Sequence, residues 1–185
     1  MARIKQNLAT EGMSGRIKQF VYRQVNGKTV VSSPPQNTSP ASPAQQAVRD
    51  LFRAANVYAQ GVADNPDLLT FYKKIAGKGK SVFNVAMADY CKPPEIGEVN
   101  TSAYTGIAGE QISINATDNG EVQSVKLKIE NSSGLVEEGS AVINNMDKNF
   151  WLYDCTAANG SLAGSIITVT ATDRAGRISV HEKTI

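Results

Sequence analysis

Few residues in this chain that could do chemistry have the company that chemistry needs. Gly77-Lys-Gly-Lys-Ser81 ends like a phosphate-binding loop. Such a loop follows a strand, cradles phosphate oxygens on backbone N–H groups, and needs a second glycine five positions before Gly79. That position is Lys74 and the segment follows a helical pattern, so the stretch reads as a helix–helix loop. His181 is the single histidine, and a histidine-dependent triad would have to use it. Alternation along the last strand puts it outward, beside Ser179 and Lys183, as a surface residue. Glu137-Glu138 and Asp154 are carboxylates of the type glycoside cleavage uses. The aromatic platforms of a sugar cleft are scarce, however, and Trp151 and Tyr153 read as core and rim residues. Asp118 and Asp173 close two Ala-Thr-Asp triplets. Calcium takes about six to eight oxygens, usually from several carboxylates, and Arg174 beside Asp173 would repel a cation, so turn-forming roles are expected. Cys91 and Cys155 make neither a disulfide framework nor a zinc site, and two reduced thiols are expected. No catalytic, cofactor or metal site emerges, and the chain reads as a non-enzyme.

Charge is more informative than any motif. The net charge of +2 conceals an asymmetry: residues 1–92 carry 13 Lys/Arg and 5 Asp/Glu, whereas residues 93–185 carry 6 and 12. The first 32 residues hold Arg3, Lys5, Arg16, Lys18, Arg23 and Lys28 against Glu11 alone. An electropositive end either meets an acidic partner or is neutralised by the acidic half of the same molecule or of another copy.

The elements that must carry these charges are legible. Residues 1–15 show little periodicity and read as a mobile arm. Phe20–Val25 and Lys28–Ser32 flank Asn26-Gly27, the strongest short hairpin signal, because a type I′ turn needs φ > 0 at both central positions. A two-residue loop fixes the register: Phe20, Tyr22 and Val31 fall on one face, and Val21, Arg23, Val25, Lys28 and Val30 on the other. A lone hairpin is marginal in water, so something should cover it. Residues 33–43 form a proline-rich, extended linker. Ser42, Pro43 and Gln45 announce a helix start, and Val48, Leu51, Phe52, Ala55, Ala59 and Val62 follow as one apolar stripe. Asn65-Pro66 opens a second short helix, and a third runs from about Ser81 to Tyr90. Beyond Pro93-Pro94 the period becomes two. Seven strands are expected, near 96–99, 112–116, 125–129, 136–143, 149–155, 167–171 and 178–180, and they read as an antiparallel sandwich. The expected organisation is an α+β N-terminal module of β-hairpin plus short helices over 1–92, followed by an all-β immunoglobulin-like sandwich over 93–185.

Ala116-Thr-Asp-Asn-Gly-Glu-Val-Gln-Ser-Val125 and Val169-Thr-Ala-Thr-Asp-Arg-Ala-Gly-Arg177 resemble the strand–turn pieces of bacterial immunoglobulin-like domains, over roughly residues 94–185. The antibody-type Cys…Trp…Cys pattern is absent. Residues 12–31, with Pro43-Ala-Gln-Gln46 and Arg49-Asp-Leu-Phe-Arg53, resemble a bacterial family of unassigned activity. That family joins this N-terminal module to a C-terminal immunoglobulin-like domain. The resemblance implies the domain pairing and no activity.

The expected function is therefore structural: an interaction protein, an accessory component or a cargo/carrier of a phage or phage-tail-like contractile particle. It would dock through Arg16, Lys18, Val21, Arg23, Val25, Lys28 and Val30. A protein partner or particle assembly is expected. Nucleic-acid binding through the basic arm and hairpin is the first alternative, and a carbohydrate- or surface-binding adhesion module the second. No run of about 18 apolar residues exists, so no membrane insertion is expected. No apolar stretch follows the basic residues of the first ten, so the expectation is cytoplasmic synthesis without a signal peptide, with release as part of a particle.

Overall fold

The computed structural model describes residues 2–3, 12–36 and 40–185. It divides into two compact units, Met1–Gln46 and Ala47–Ile185. The change from helical to strand pattern does fall at Pro93-Pro94, between Cys91 and Glu95. The units, however, part in the first turn of the first helix, so the helices belong with the sandwich and not with the hairpin. The expected module 1–92 is thus split.

The first unit is an antiparallel sheet in the order β1-β4-β3-β2, built from β1 (Ala2–Arg3), β2 (Gly15–Ile17), β3 (Phe20–Val25) and β4 (Lys28–Ser32). Asn26 at φ 51° and Gly27 at φ 73° form the expected turn. The hairpin is not alone. Part of the stretch read as a mobile arm supplies two flanking strands, β1 on β4 and β2 on β3. Pairing on both sides gives the ladder the partners that two strands lack. Most of the arm, and residues 37–39 of the linker, lie outside the described residues.

The second unit begins with helices. Ser42 and Gln45 exchange capping bonds at the start of α1 (Pro43–Gly61): the Gln45 N–H donates to Ser42 Oγ, and the Ser42 N–H donates to Gln45 Oε1. Asn65 caps α2 (Pro66–Ile75) by accepting from the N–H groups of Asp67 and Leu68. Ser81 caps α3 (Val82–Cys91). Their small core gathers Ala59, Val62, Tyr72 and Ala86. The stripe expected on α1 is only half used. Ala55 and Ala59 are buried, but Val48 and Phe52 stand more than half exposed.

The sandwich follows as two four-stranded antiparallel sheets, β5-β6-β10-β9 and β12-β11-β7-β8. The strands are β5 (Glu95–Asn100), β6 (Gln111–Thr117), β7 (Val122–Asn131), β8 (Gly134–Ser140), β9 (Val142–Ile143), β10 (Phe150–Asp154), β11 (Ile166–Asp173) and β12 (Ile178–Thr184). The segment 136–143, read as one strand, is two. The chain turns at buried Ala141, so β8 stays in one sheet while β9 joins the other. The core lies between the sheets. Ile112, Ile114 and Ala116 of β6, Val125, Leu127 and Ile129 of β7, and Ile167, Val169 and Ala171 of β11 are essentially inaccessible. Each large aliphatic side chain buried there contributes roughly 1.5–3 kcal/mol.

Strand β12 reverses its expected phase. Ile178 and Val180 face outward at 58% and 61% exposure. Ser179, His181 and Lys183 pair with the buried Ala171, Val169 and Ile167, which places them on the inner side. At this margin of the sandwich polar side chains can reach across: Ser179 Oγ donates to the Pro94 carbonyl at 2.6 Å, and Lys183 Nζ to the Val99 carbonyl at 2.6 Å. Among the described residues no helix is long and apolar enough to cross a membrane.

Candidate functional site

Two features stand out, one in each unit. In the N-terminal sheet the ladder aligns Arg23 with Val30, Val25 with Lys28, Val21 with Ser32 and Arg16 with Val21. Directly opposed residues in an antiparallel pair share a face. Arg16, Val21, Arg23, Val25, Lys28 and Val30 therefore lie on one side of the sheet, three cations interleaved with three valines. Lys18 sits at the β2–β3 turn with φ 51°. Ile17, Phe20 and Tyr22 take the other side. Residues 12–36 contain no carboxylate, and Arg16, Arg23 and Lys28 are all exposed. Val25 is half exposed, whereas Val30 is buried.

The second feature was legible only in part, since the repeat marks Asp118 and Asp173 but nothing in the sequence marks Asp89. The two Ala-Thr-Asp triplets end β6 and β11, and both turns meet α2 and α3 at one end of the sandwich. Asp89, in the last turn of α3, is 1% exposed, and Asp173 is fully buried. Tyr72 of α2 donates to Asp89 Oδ2 at 2.5 Å, and the Tyr58 and Tyr72 hydroxyls are 2.9 Å apart. A β-carbon on Gly120 would lie 2.5 Å from Asp89 Oδ1, so only glycine lets the carboxyl sit against that turn. Asp118 Oδ2 accepts the Gly120 N–H, and Asp173 Oδ1 accepts the Arg177 N–H at 2.7 Å. Arg174 lies over the Phe71 ring at 4.5 Å and pairs with Glu121, while Arg177 lies over Tyr90 at 5.2 Å. Burial first, then the nearby Asp118 and Asp173 charges, push the Asp89 carboxyl up to about 6 against the opposing pull of the Tyr72 hydrogen bond. Asp173 is also raised, chiefly by burial. Tyr72 is raised by burial and by its bonds to Asp89 and Tyr58. A cleft of about 500 Å³ opens beside this junction, lined by Ile75, Lys80, Asn84, Val85, Ala88, Asp89 and Asn119.

The remaining candidates are scattered. His181 stands exposed on edge strand β12. Glu137 is buried, and its Oε2 accepts from the Tyr153 and Thr156 hydroxyls and from the Thr156 and Ala157 N–H groups, a set of bonds that pins the loop after β10. Glu138 is exposed beside it, and Asp154 accepts from Gln111. Gly77–Ser81 joins α2 to α3. Both cysteines are free thiols, and burial raises Cys155 to about 12. Among the described residues no group of three or more His, Cys, Asp or Glu could hold a metal ion.

No family model and no curated protein matches the chain. Among solved structures, CopC from Methylosinus trichosporium OB3b is similar at 16% identity and a TM-score of 0.35, over 48% of this chain and 87% of that one. An engineered protein is similar at 16% identity and a TM-score of 0.34, over 60% of this chain and 28% of that one.

Proposed function

We propose that the chain is a non-enzymatic interaction protein that docks through one face of its N-terminal sheet onto an acidic protein surface. The observation that carries this reading is the register. It sets Arg16, Arg23 and Lys28 among Val21, Val25 and Val30 on a single face, in a stretch of 25 described residues, 12–36, without a carboxylate. Cations between aliphatic side chains fit a partner that offers carboxylates around an apolar patch, since complementary charge steers encounter and apolar burial holds the complex. The partner is read as the wall of a phage or phage-tail-like particle, with this chain as an accessory or carried component. The second unit is read as immunoglobulin-like. In support, its sheets follow the A-B-E-D and G-F-C order of that fold, with β8 added beside β7.

Nucleic acid is the competing partner for a basic face. Single-stranded binding interleaves cations with aromatic platforms, whereas Phe20 and Tyr22 lie on the side of the sheet opposite Arg23 and Lys28. The test replaces Arg16, Arg23 and Lys28 together by glutamate and follows the chain by mass spectrometry in particles sedimented from the producing cells. The expected result is particle-bound wild type, released progressively by salt, and a variant at least tenfold depleted from the particles. A wild-type chain found only as free soluble protein overturns the reading. Tight binding of random-sequence DNA at low salt, lost in the same variant, assigns the face to phosphate instead.

A further inference from the structure

We propose that the junction of α3 with the β6–β7 and β11–β12 turns is a proton-operated latch, in which a proton held on the buried Asp89 carboxyl fastens the helices to the sandwich and its loss loosens them. The geometry leaves acceptors facing acceptors. Asp89 Oδ1, Asp118 Oδ1 and Asp173 Oδ2 are buried acceptors without a donor among the described residues, and the turn that Asp118 caps meets Asp89 at Gly120, where a β-carbon would lie 2.5 Å from Asp89 Oδ1. Carboxylates only accept, so two of them in contact can bond to each other only when one carries a proton. Like charges that share a desolvated site do not both ionise readily.

The charged and titratable groups around Asp89 come from each neighbouring element. From α1 and α2 come the hydroxyls of Tyr58 and Tyr72, the latter donating to Asp89 Oδ2. From α3 itself comes Tyr90, under Arg177, and from the α2–α3 loop comes Lys80, on the cleft wall. From the β6–β7 turn come Asp118 and Glu121, the latter engaged by Arg174. From the β11–β12 turn come Asp173, Arg174 and Arg177. Both arginines spread over ring faces, and among the described residues no ion pair joins a lysine or arginine to Asp89, Asp118 or Asp173. On the Gly120 side there is no room even for a β-carbon, which would lie 2.5 Å from Asp89 Oδ1. Arg177 Nε, on the Asp173 turn, is itself buried without a partner; at Asp89 a proton supplies the missing donor.

The sign follows from the raised carboxyl, which reaches about 6 in the folded chain. A group that holds its proton more tightly when folded stabilises the fold at low pH, and that stabilisation is lost as pH rises through its folded value. The latch is closed near pH 5 and weakened by pH 8.

The test uses the full chain. Thermal melting of the wild type from pH 5 to 8 at constant ionic strength is expected to show a midpoint that falls by several degrees across pH 6. Asp89→Asn keeps an acceptor for Tyr72 and adds N–H donors toward Asp118. It should melt above wild type at pH 8 and lose the slope. Asp118→Asn removes a neighbouring charge and should reduce the slope without abolishing it. A carboxyl carbon NMR titration of the wild type reads Asp89 directly and needs no variant to fold; its midpoint is expected near 6. Amide protection of α3, corrected for intrinsic exchange, is expected to fall over the same interval. An Asp89 that titrates in the ordinary carboxylate range, or an Asp89→Asn chain that keeps the wild-type slope, overturns the proposal.

Discussion

At the scale of single residues, the junction depends on a missing side chain as much as on the charges. Gly120 is in an ordinary backbone conformation, so its replacement costs nothing in φ and everything in space. A β-carbon there would sit 2.5 Å from Asp89 Oδ1 and 3.0 Å from Asp89 Cγ, and moving the carboxyl aside would strain its bond from Tyr72. Overpacking of this kind costs about 1–3 kcal/mol. Gly120→Ala is therefore expected to lower the unfolding free energy of the unit by that amount, read as a lower denaturant midpoint, whereas an alanine at Gly61, which meets nothing within 4 Å, should leave the midpoint unchanged or higher. The pair Asp118 and Asp173 could be picked out by reading, because the two Ala-Thr-Asp triplets repeat. Their third member could not: Asp89 lies in a helical apolar stretch, and nothing local marks it as the residue that both turns face. Buried polar clusters are assembled by tertiary structure, and one sequence does not record which distant elements meet.

At the scale of elements, local rules worked where one surface decided the outcome and failed where two competed. The turn at Asn26-Gly27, the capping box at Ser42 and Gln45, and the alternation of β6, β7 and β11 were legible because backbone chemistry or a fully buried face dictates them. Strand β12 was misread because it is an edge. Apolar residues at an edge are not forced inward, and here the inner positions bond the opposite sheet instead. Ser179→Ala removes the bond to the Pro94 carbonyl, and a lost hydrogen bond of this type costs about 1 kcal/mol. A lower midpoint of denaturant unfolding at an unchanged slope, equivalent to about that loss of free energy, is the expected result. The first turns of α1 were misread for the same reason. Periodicity identifies an apolar face but does not supply what covers it, and Val48 and Phe52 remain exposed.

At the scale of the whole molecule, the division between Gln46 and Ala47 makes a prediction opposite to a cut at the prolines. Phe71, Tyr72, Asp89 and Tyr90 all contact or bond groups in the second unit, and a fragment starting at residue 93 loses each of them. A fragment 40–185 is expected to melt in one cooperative transition close to that of the unit in the full chain. A fragment 93–185 is expected to melt at lower temperature, with Asp173 no longer facing Asp89. Scanning calorimetry of the two fragments checks this. Charge asymmetry between the halves was fully legible from composition, because counting needs no fold. The assignment of the helices was not, because the helices resemble a module of their own until their partners are seen.

The polar bridges between β12 and β5 also bear on crowding. Carbonyls of Pro94 and Val99 are occupied by Ser179 and Lys183, and two consecutive prolines lead into β5 without N–H groups to offer. That flank is a poor template for a foreign strand. On the opposite flank β9 is two residues long and β8 carries a bulge in its pairing with β7. Of the four edges of the sandwich, three are thus poor templates, and knitting of copies at high local density would have to start from β12.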